Sequence, residues 1–187
     1  KKSNFKLNSE QKKALDELLG QNKSFKVSVL QGITGSGKTH VYFENVKKIL
    51  RSNNQVLILF PEITLTNQFE KRFKDFFGFK PSVWHSRVTV KERRKIWQGV
   101  LKKKIKVVLG ARSALLLPFK SLKLIIVDEE HDASYKQEEG SIYNARDMAI
   151  LRSSIEKIPI NLISSIPSIE TYNNCVNNKY KLIKINK

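Results

Sequence analysis

At 187 residues the chain is long enough for one ordinary domain, burying roughly 70% of its unfolded surface. A hydrophobic fraction of 40% excludes disorder as the main state, and no apolar run reaches the ~18 residues needed to cross a bilayer. Thirty-five Lys and Arg against 17 Asp and Glu leave a formal charge of +18, which favours a polyanionic partner through counterion release. The bland rival is that runs such as Lys102-Lys103-Lys104 are solvated faces with no particular partner. A single cysteine, Cys175, excludes an internal disulfide, and with no Cys-x-x-Cys pair no zinc is expected in this chain. A reducing, cytoplasmic setting without a membrane partner is therefore expected, as no secretory leader is recognisable. The first residue is Lys rather than Met, which suggests a piece of a longer protein.

In chain order, Asn8-x-x-Gln11 reads as a capping box opening a first helix that Gly20 ends. Short β-branched runs then alternate with helical patterns, the signature of βαβ units around a mainly parallel sheet. Strands are predicted at Phe25–Leu30, Val56–Phe60, Ser82–His85, Lys106–Leu109, Leu124–Val127, Asn161–Ser164 and Tyr180–Ile185. Helices are predicted at Gly37–Arg51, Thr66–Phe77, Val90–Leu101 and Ala145–Lys157, the third opened by a second capping box, Thr89-x-x-Glu92. Within that helix Ile96 pairs with Val100 and Trp97 with Leu101, as in an amphipathic packing helix. Cys175 reads as a partly buried spacer. With no repeat and no Pro/Gly-rich linker, one α/β domain is expected over residues 1–187.

Two stretches carry chemistry. Gly32-Ile33-Thr34-Gly35-Ser36-Gly37-Lys38-Thr39 fits G-x-x-x-x-G-K-[ST] between a buried strand and a helix. The glycines let successive N–H groups of Gly32, Thr34, Gly35, Ser36 and Gly37 turn towards phosphate oxygens, and the helix dipole adds positive potential there. Lys38 then reaches the β- and γ-phosphates, and the Thr39 hydroxyl ligates Mg²⁺. Leu124-Ile125-Ile126-Val127-Asp128-Glu129-Glu130-His131 is a buried strand ending in acids, and carboxyl ends of parallel strands carry the ligand site. Asp128 is placed to hold Mg²⁺, and Glu129 to orient and deprotonate the attacking water. ATP with Mg²⁺ is the implied cofactor.

The stretch Val108–Arg152, VLGARSALLLPFKSLKLIIVDEEHDASYKQEEGSIYNARDMAILR, resembles superfamily 2 helicases, in particular the PriA family of bacterial replication-restart helicases. GITGSGKT followed by Tyr42, PEITLT after the second strand, and His85-Ser86 are similar too, so the resemblance covers essentially the whole chain. It implies the first of two RecA-like domains in an ATP-driven DNA translocase moving 3′ to 5′, with primosome and single-strand-binding proteins as partners. It also implies that Gln11 reads adenine. Pro61, Thr64, Thr66, Arg112 and Ser113 would lie on the path of single-stranded or forked DNA, with His131 at the end of the acidic motif. The segment Ser134–Arg146 resembles an aromatic-rich loop coupling DNA contact to hydrolysis. In it Tyr135 and Tyr143 would offer stacking faces, and Lys136 and Arg146 phosphate contacts; a surface loop with locally packed tyrosines is the alternative.

Two departures stand out. Ser164-Ser165-Ile166-Pro167 replaces the family's usual Ser-Ala-Thr-Pro, so Ile166 removes a hydroxyl that helps transmit the nucleotide state. Ser141-Ile142 stands where a Pro or aromatic residue often precedes the Tyr. The second RecA-like domain, which would bring an arginine finger, is not in this chain, so slow turnover without unwinding is expected of it alone. Two other readings share these residues: the first half of an RNA-directed superfamily 2 ATPase, and a basic DNA-binding module with a decayed ATPase.

Overall fold

The apolar runs form strands whose two faces are both covered, the condition under which parallel sheets are found. The computed structural model describes residues 6–61, 67–137 and 143–186. Its first half runs α1 (Ser9–Gly20), β1 (Val27–Gly32), α2 (Lys38–Leu50), β2 (Gln55–Leu59), α3 (Asn67–Phe77), β3 (Ser82–Trp84) and α4 (Val90–Leu101). Then come β4 (Val107–Gly110), a 3₁₀ turn (Arg112–Leu116), β5 (Leu122–Val127), β6 (Lys136–Gln137), β7 (Tyr143–Asn144), α5 (Ala145–Glu156), β8 (Ile160–Ser164), α6 (Ile169–Val176) and β9 (Lys181–Ile185). Seven strands pair in the order β3-β4-β2-β5-β8-β1-β9, and all of these pairings are parallel. The strands β6 and β7 make a separate antiparallel ribbon, Lys136 opposite Asn144 and Gln137 opposite Tyr143.

Strand parity sorts the core into two layers. Val29, Leu57, Leu59, Ile125, Val127 and Leu162 face Val100 of α4 and Ala145 and Ala149 of α5. Leu30, Val56, Ile58, Leu124, Ile126 and Ile163 face Ala14 and Leu18 of α1, Val41 and Phe43 of α2, and Phe73 of α3. In the second layer Phe43 sits edge-on to Phe69, Phe73 and Phe77, with ring centroids 5.6, 5.5 and 5.2 Å apart. Each such pair adds about 0.5–1.5 kcal/mol beyond the area it buries. Continuing the parity of Leu124 and Ile126, position 128 falls on the α2 side of the sheet.

The predicted strands and helices are all found, with ends shifted by at most two residues; the start predicted at Thr66 lies outside the described residues. Both capping boxes form as expected, Asn8 with Gln11 and Thr89 with Glu92. Gly20 does not end α1 by a left-handed turn: it is the last helical residue, and the cap, Gln21, keeps right-handed angles while its N–H bonds Leu18 and Leu19 carbonyls. On α4 only Val100 of the apolar pairs is fully buried, while Trp97 and Leu101 stay exposed at the rim. The 3₁₀ turn, α6 and the β6–β7 ribbon have no counterpart in the sequence reading, since each is too short for periodicity to register. Cys175 is half-buried, as expected.

At the end of the sheet away from the acids, Gln55 is buried and its amide binds two separate stretches of the chain. Its Nε2 donates to Val100 O (2.9 Å) and Ile105 O (2.8 Å). Its Oε1 accepts from Lys120 N (3.1 Å), Ser121 N (3.0 Å) and Ser121 Oγ (3.2 Å). One amide thus ties the end of α4 and the approach to β4 to the start of β5. Gln55→Leu would strand these partners in the interior, and should cost at least about 3 kcal/mol in urea unfolding. A loss below about 1 kcal/mol would mean that water replaces the amide.

Candidate nucleotide site

The turn after β1 and the acids after β5 meet across β8 and enclose a cavity of about 470 Å³. Thr34, Gly35, Lys38 and Thr39 line one side; Asp128 and Glu129 line the other. Gly37 caps α2 with φ 87°, a left-handed conformation, and a Cβ there would collide with the Gln11 amide. Gly32 is needed for closeness: a Cβ would sit 2.9 Å from Ile185 O of β9. The buried Lys38 ammonium donates to Gly32 O (2.5 Å) and Ile33 O (3.1 Å), curling back over its own turn. Ser36 Oγ is buried in the same turn without a hydrogen-bond partner.

Gln11 lies against this turn. Its Oε1 accepts from Asn8 N (3.0 Å) and its Nε2 donates to Ser36 O (2.9 Å), so its amide spans the α1 cap and the phosphate turn.

Opposite the turn, Asp128 is held from every side. Oδ2 accepts from the Tyr42 hydroxyl (2.9 Å), Oδ1 from Glu129 N (3.0 Å), and its main-chain carbonyl from the Tyr135 hydroxyl (2.5 Å). Burial is the largest influence on its carboxyl and, with the Glu129 charge, outweighs the Tyr42 bond and Lys38, leaving its pKa raised to about 6. Burial and then the Asp128 charge push the Tyr42 phenol well above its ordinary range, so it stays a donor. Glu129 adopts a left-handed φ of 48° that turns its side chain out to the cavity, about two-fifths exposed.

Glu130 points the other way, into the protein. Its carboxylate accepts from Ser168 N (2.7 Å), Thr171 Oγ1 (2.9 Å) and Arg146 Nη1 (3.3 Å), with no exposed side-chain surface. His131 bonds Ser164 Oγ through Nδ1 (2.7 Å), while its Nε2 lies 3.6 Å from the Glu129 carboxylate.

The predicted DNA contacts divide. Pro61, Arg112 and Ser113 follow the carboxyl ends of β2 and β4, on the cavity's edge of the sheet. Arg112 Nη1 donates to Lys136 O (3.0 Å), and Ser113 Oγ accepts from Trp84 Nε1 (3.0 Å). Lys136 is exposed and Tyr143 half-buried, while Thr64 and Thr66 lie outside the described residues, as do Ser141 and Ile142. Tyr135 and Arg146 are corrections. Tyr135 is 1% exposed, its ring in the core and its hydroxyl spent on Asp128, so it offers no stacking face. Arg146 is 7% exposed and paired with Glu130, Asp147 (2.9 Å) and Ser168 Oγ (2.7 Å), so it is an internal tie rather than a phosphate contact. Aromatic and basic residues beside a loop look alike in sequence whether they face in or out. Ile166 is three-quarters exposed.

Sequence reasoning gave no site role to Tyr42, His40, Arg72 or Glu130. His40 and Arg72 line the cavity, and burial, then Arg72, lowers the His40 pKa. Tyr42 carried a signal, because it follows Thr39 by one helical turn and strand parity turns Asp128 towards the same helix.

Because the folded pKa of Asp128 is raised, its stabilising share is complete below about pH 4, where the carboxyl is protonated folded or unfolded, and is lost as pH rises through about 6. Asp128→Asn has no such proton to lose. In EDTA, the unfolding free energy of the variant minus that of the parent should grow by about 3 kcal/mol between pH 4 and 7. Denaturant titrations at several pH values measure it; a flat difference would mean the carboxyl is not desolvated.

The chain is 49% identical to Replication restart protein PriA of Rickettsia conorii over 179 residues, 96% of this chain and 27% of that protein. It is 41% identical to Replication restart protein PriA of Bacillus subtilis over 160 residues, 86% of this chain and 20% of that protein. The chain thus spans about a quarter of the length of the curated relatives it matches. Among solved structures, RecG bound to a three-way DNA junction superposes with a TM-score of 0.72 at 24% identity, covering 98% of this chain and 24% of that one. That likeness shows the fold alone, a RecA-like domain built on a parallel sheet. Residues 4–176 match the family described as "Type III restriction enzyme, res subunit", and the chain belongs to that family.

Proposed function

We propose that residues 1–187 form the first, nucleotide-binding RecA-like domain of a PriA-like DNA helicase that acts in replication restart. One observation carries this reading: a phosphate turn with its lysine and threonine shares a single cavity with an aspartate and a glutamate at the end of a strand two places away in the sheet. The residues fit Mg-ATP. The partnerless buried Ser36 hydroxyl and the curled Lys38 ammonium supply donors where an anion would sit, while Thr39 and Asp128 supply hard oxygens for the metal. Bound magnesium would neutralise charge on the transferring phosphoryl group.

In this mechanism Lys38 binds the β- and γ-phosphates, and Thr39 and Asp128 hold the metal. Glu129, turned into the cavity by its left-handed backbone, orients the attacking water and takes its proton. Gln11 borders the same turn and reads adenine beside it. Single-stranded DNA runs along the strand ends past Pro61, Thr64, Thr66, Arg112 and Ser113 and the exposed face of Lys136 and Tyr143. A charge of +18 favours such a path, and DNA rather than RNA is supported by the PriA relatives and by the junction-bound RecG neighbour. Translocation 3′ to 5′, a second RecA-like domain, and primosome and single-strand-binding partners complete the reading. A bacterial cytoplasmic location goes with it; among the described residues no helix is long and apolar enough to cross a membrane.

Titration calorimetry with Mg-ATP, with and without forked DNA, tests the site. Lys38→Ala should abolish binding. Glu129→Gln should bind normally while hydrolysis in the intact protein falls by about 10²–10⁴, the usual share of a general base. Normal hydrolysis by the Glu129 variant would remove it from the role, and binding that survives Lys38→Ala would remove the phosphate turn.

A further inference from the structure

Tyr42 is a fully buried phenol on α2, the helix that also carries Thr39, and it contacts Asp128. Its hydroxyl donates to Asp128 Oδ2 at 2.9 Å. Thr39 stands one helical turn earlier on the same helix, on the face that Tyr42 shares. The other Asp128 oxygen is held at 3.0 Å by Glu129 N. Two bonds from two directions stop the carboxylate from rotating. The ring is locked as well: Tyr42 has no exposed surface and stands edge-on to Phe43 at 5.3 Å.

We infer that Tyr42 is a positioning residue for the metal ion, its hydroxyl fixing the orientation of the Asp128 carboxylate before any nucleotide arrives. It does not itself touch nucleotide or metal. The inference rests on the reading of Thr39 and Asp128 as metal partners. It predicts that the tyrosine matters for the magnesium-dependent part of nucleotide affinity and not for the part made by the phosphate turn alone. Outer partners that orient metal ligands typically contribute about 10- to 100-fold in metal affinity.

The test uses the intact protein and a fluorescent ATP analogue, with magnesium titrated from an EDTA baseline. Tyr42→Phe keeps the ring and removes the hydrogen bond to Asp128. It should leave affinity in EDTA within about twofold, and raise the magnesium concentration for half-maximal tightening by about tenfold or more. Phe43→Leu thins the same core without contacting Asp128 and controls for loosened packing, with thermal melting of each variant alongside. A magnesium dependence in Tyr42→Phe that moves no further than in Phe43→Leu overturns the positioning role. Asp128→Ala and Thr39→Ala separate this from the underlying reading. If they leave the magnesium dependence intact, the metal assignment itself fails. If they abolish it and Tyr42→Phe does not shift it, the inference about Tyr42 alone fails.

Discussion

Everything at the site follows from covering the central strands on both faces. β1, β2, β5 and β8 are covered on both faces along most of their length, so their side chains are largely apolar and the charged chemistry gathers at their ends. Because the strands are parallel, those ends all lie on one edge. The order β2-β5-β8-β1 then places the phosphate turn and the acids two strands apart, with α2 leaning over the gap. Tyr42 uses that lean, reaching from the helix that follows the turn to the strand that carries the acid.

The three consecutive acids after β5 show how backbone geometry assigns different tasks to similar side chains. Asp128 keeps strand parity and is buried towards α2, where desolvation raises its pKa. Glu129 breaks the strand with a positive φ and faces the cavity. Glu130 is fully desolvated, yet it has an arginine, two hydroxyls and a backbone N–H to offset the loss of water. Left unpartnered, such a carboxylate would be among the costliest groups in the protein.

Much of this was legible in the sequence, for identifiable reasons. Long apolar runs with turn residues between them place strands well, and a glycine-rich turn followed by Lys38 and Thr39 seldom serves anything but phosphate. The pairing of Asn8 with Gln11 and of Thr89 with Glu92 could be read because a capping box is a local contract, complete within four residues. The inward orientation of Tyr135 and Arg146 could not, because it depends on Asp128 and Glu130 being close enough to receive them. The knot around Gln55 was equally hidden, since its partners lie 45 to 66 positions away.

The two ties that withdrew Tyr135 and Arg146 from solvent have a mechanical consequence. The β6–β7 ribbon lies between them in the chain, and its ends are moored to adjacent anchors: Tyr135 to the carbonyl of Asp128, Arg146 to the carboxylate of Glu130. Glu129 sits between those anchors in a backbone conformation that costs about 1–2 kcal/mol to hold. A tug on the ribbon therefore reaches this glutamate from both neighbours at once, and arrives as torsion on a residue already wound against its preference.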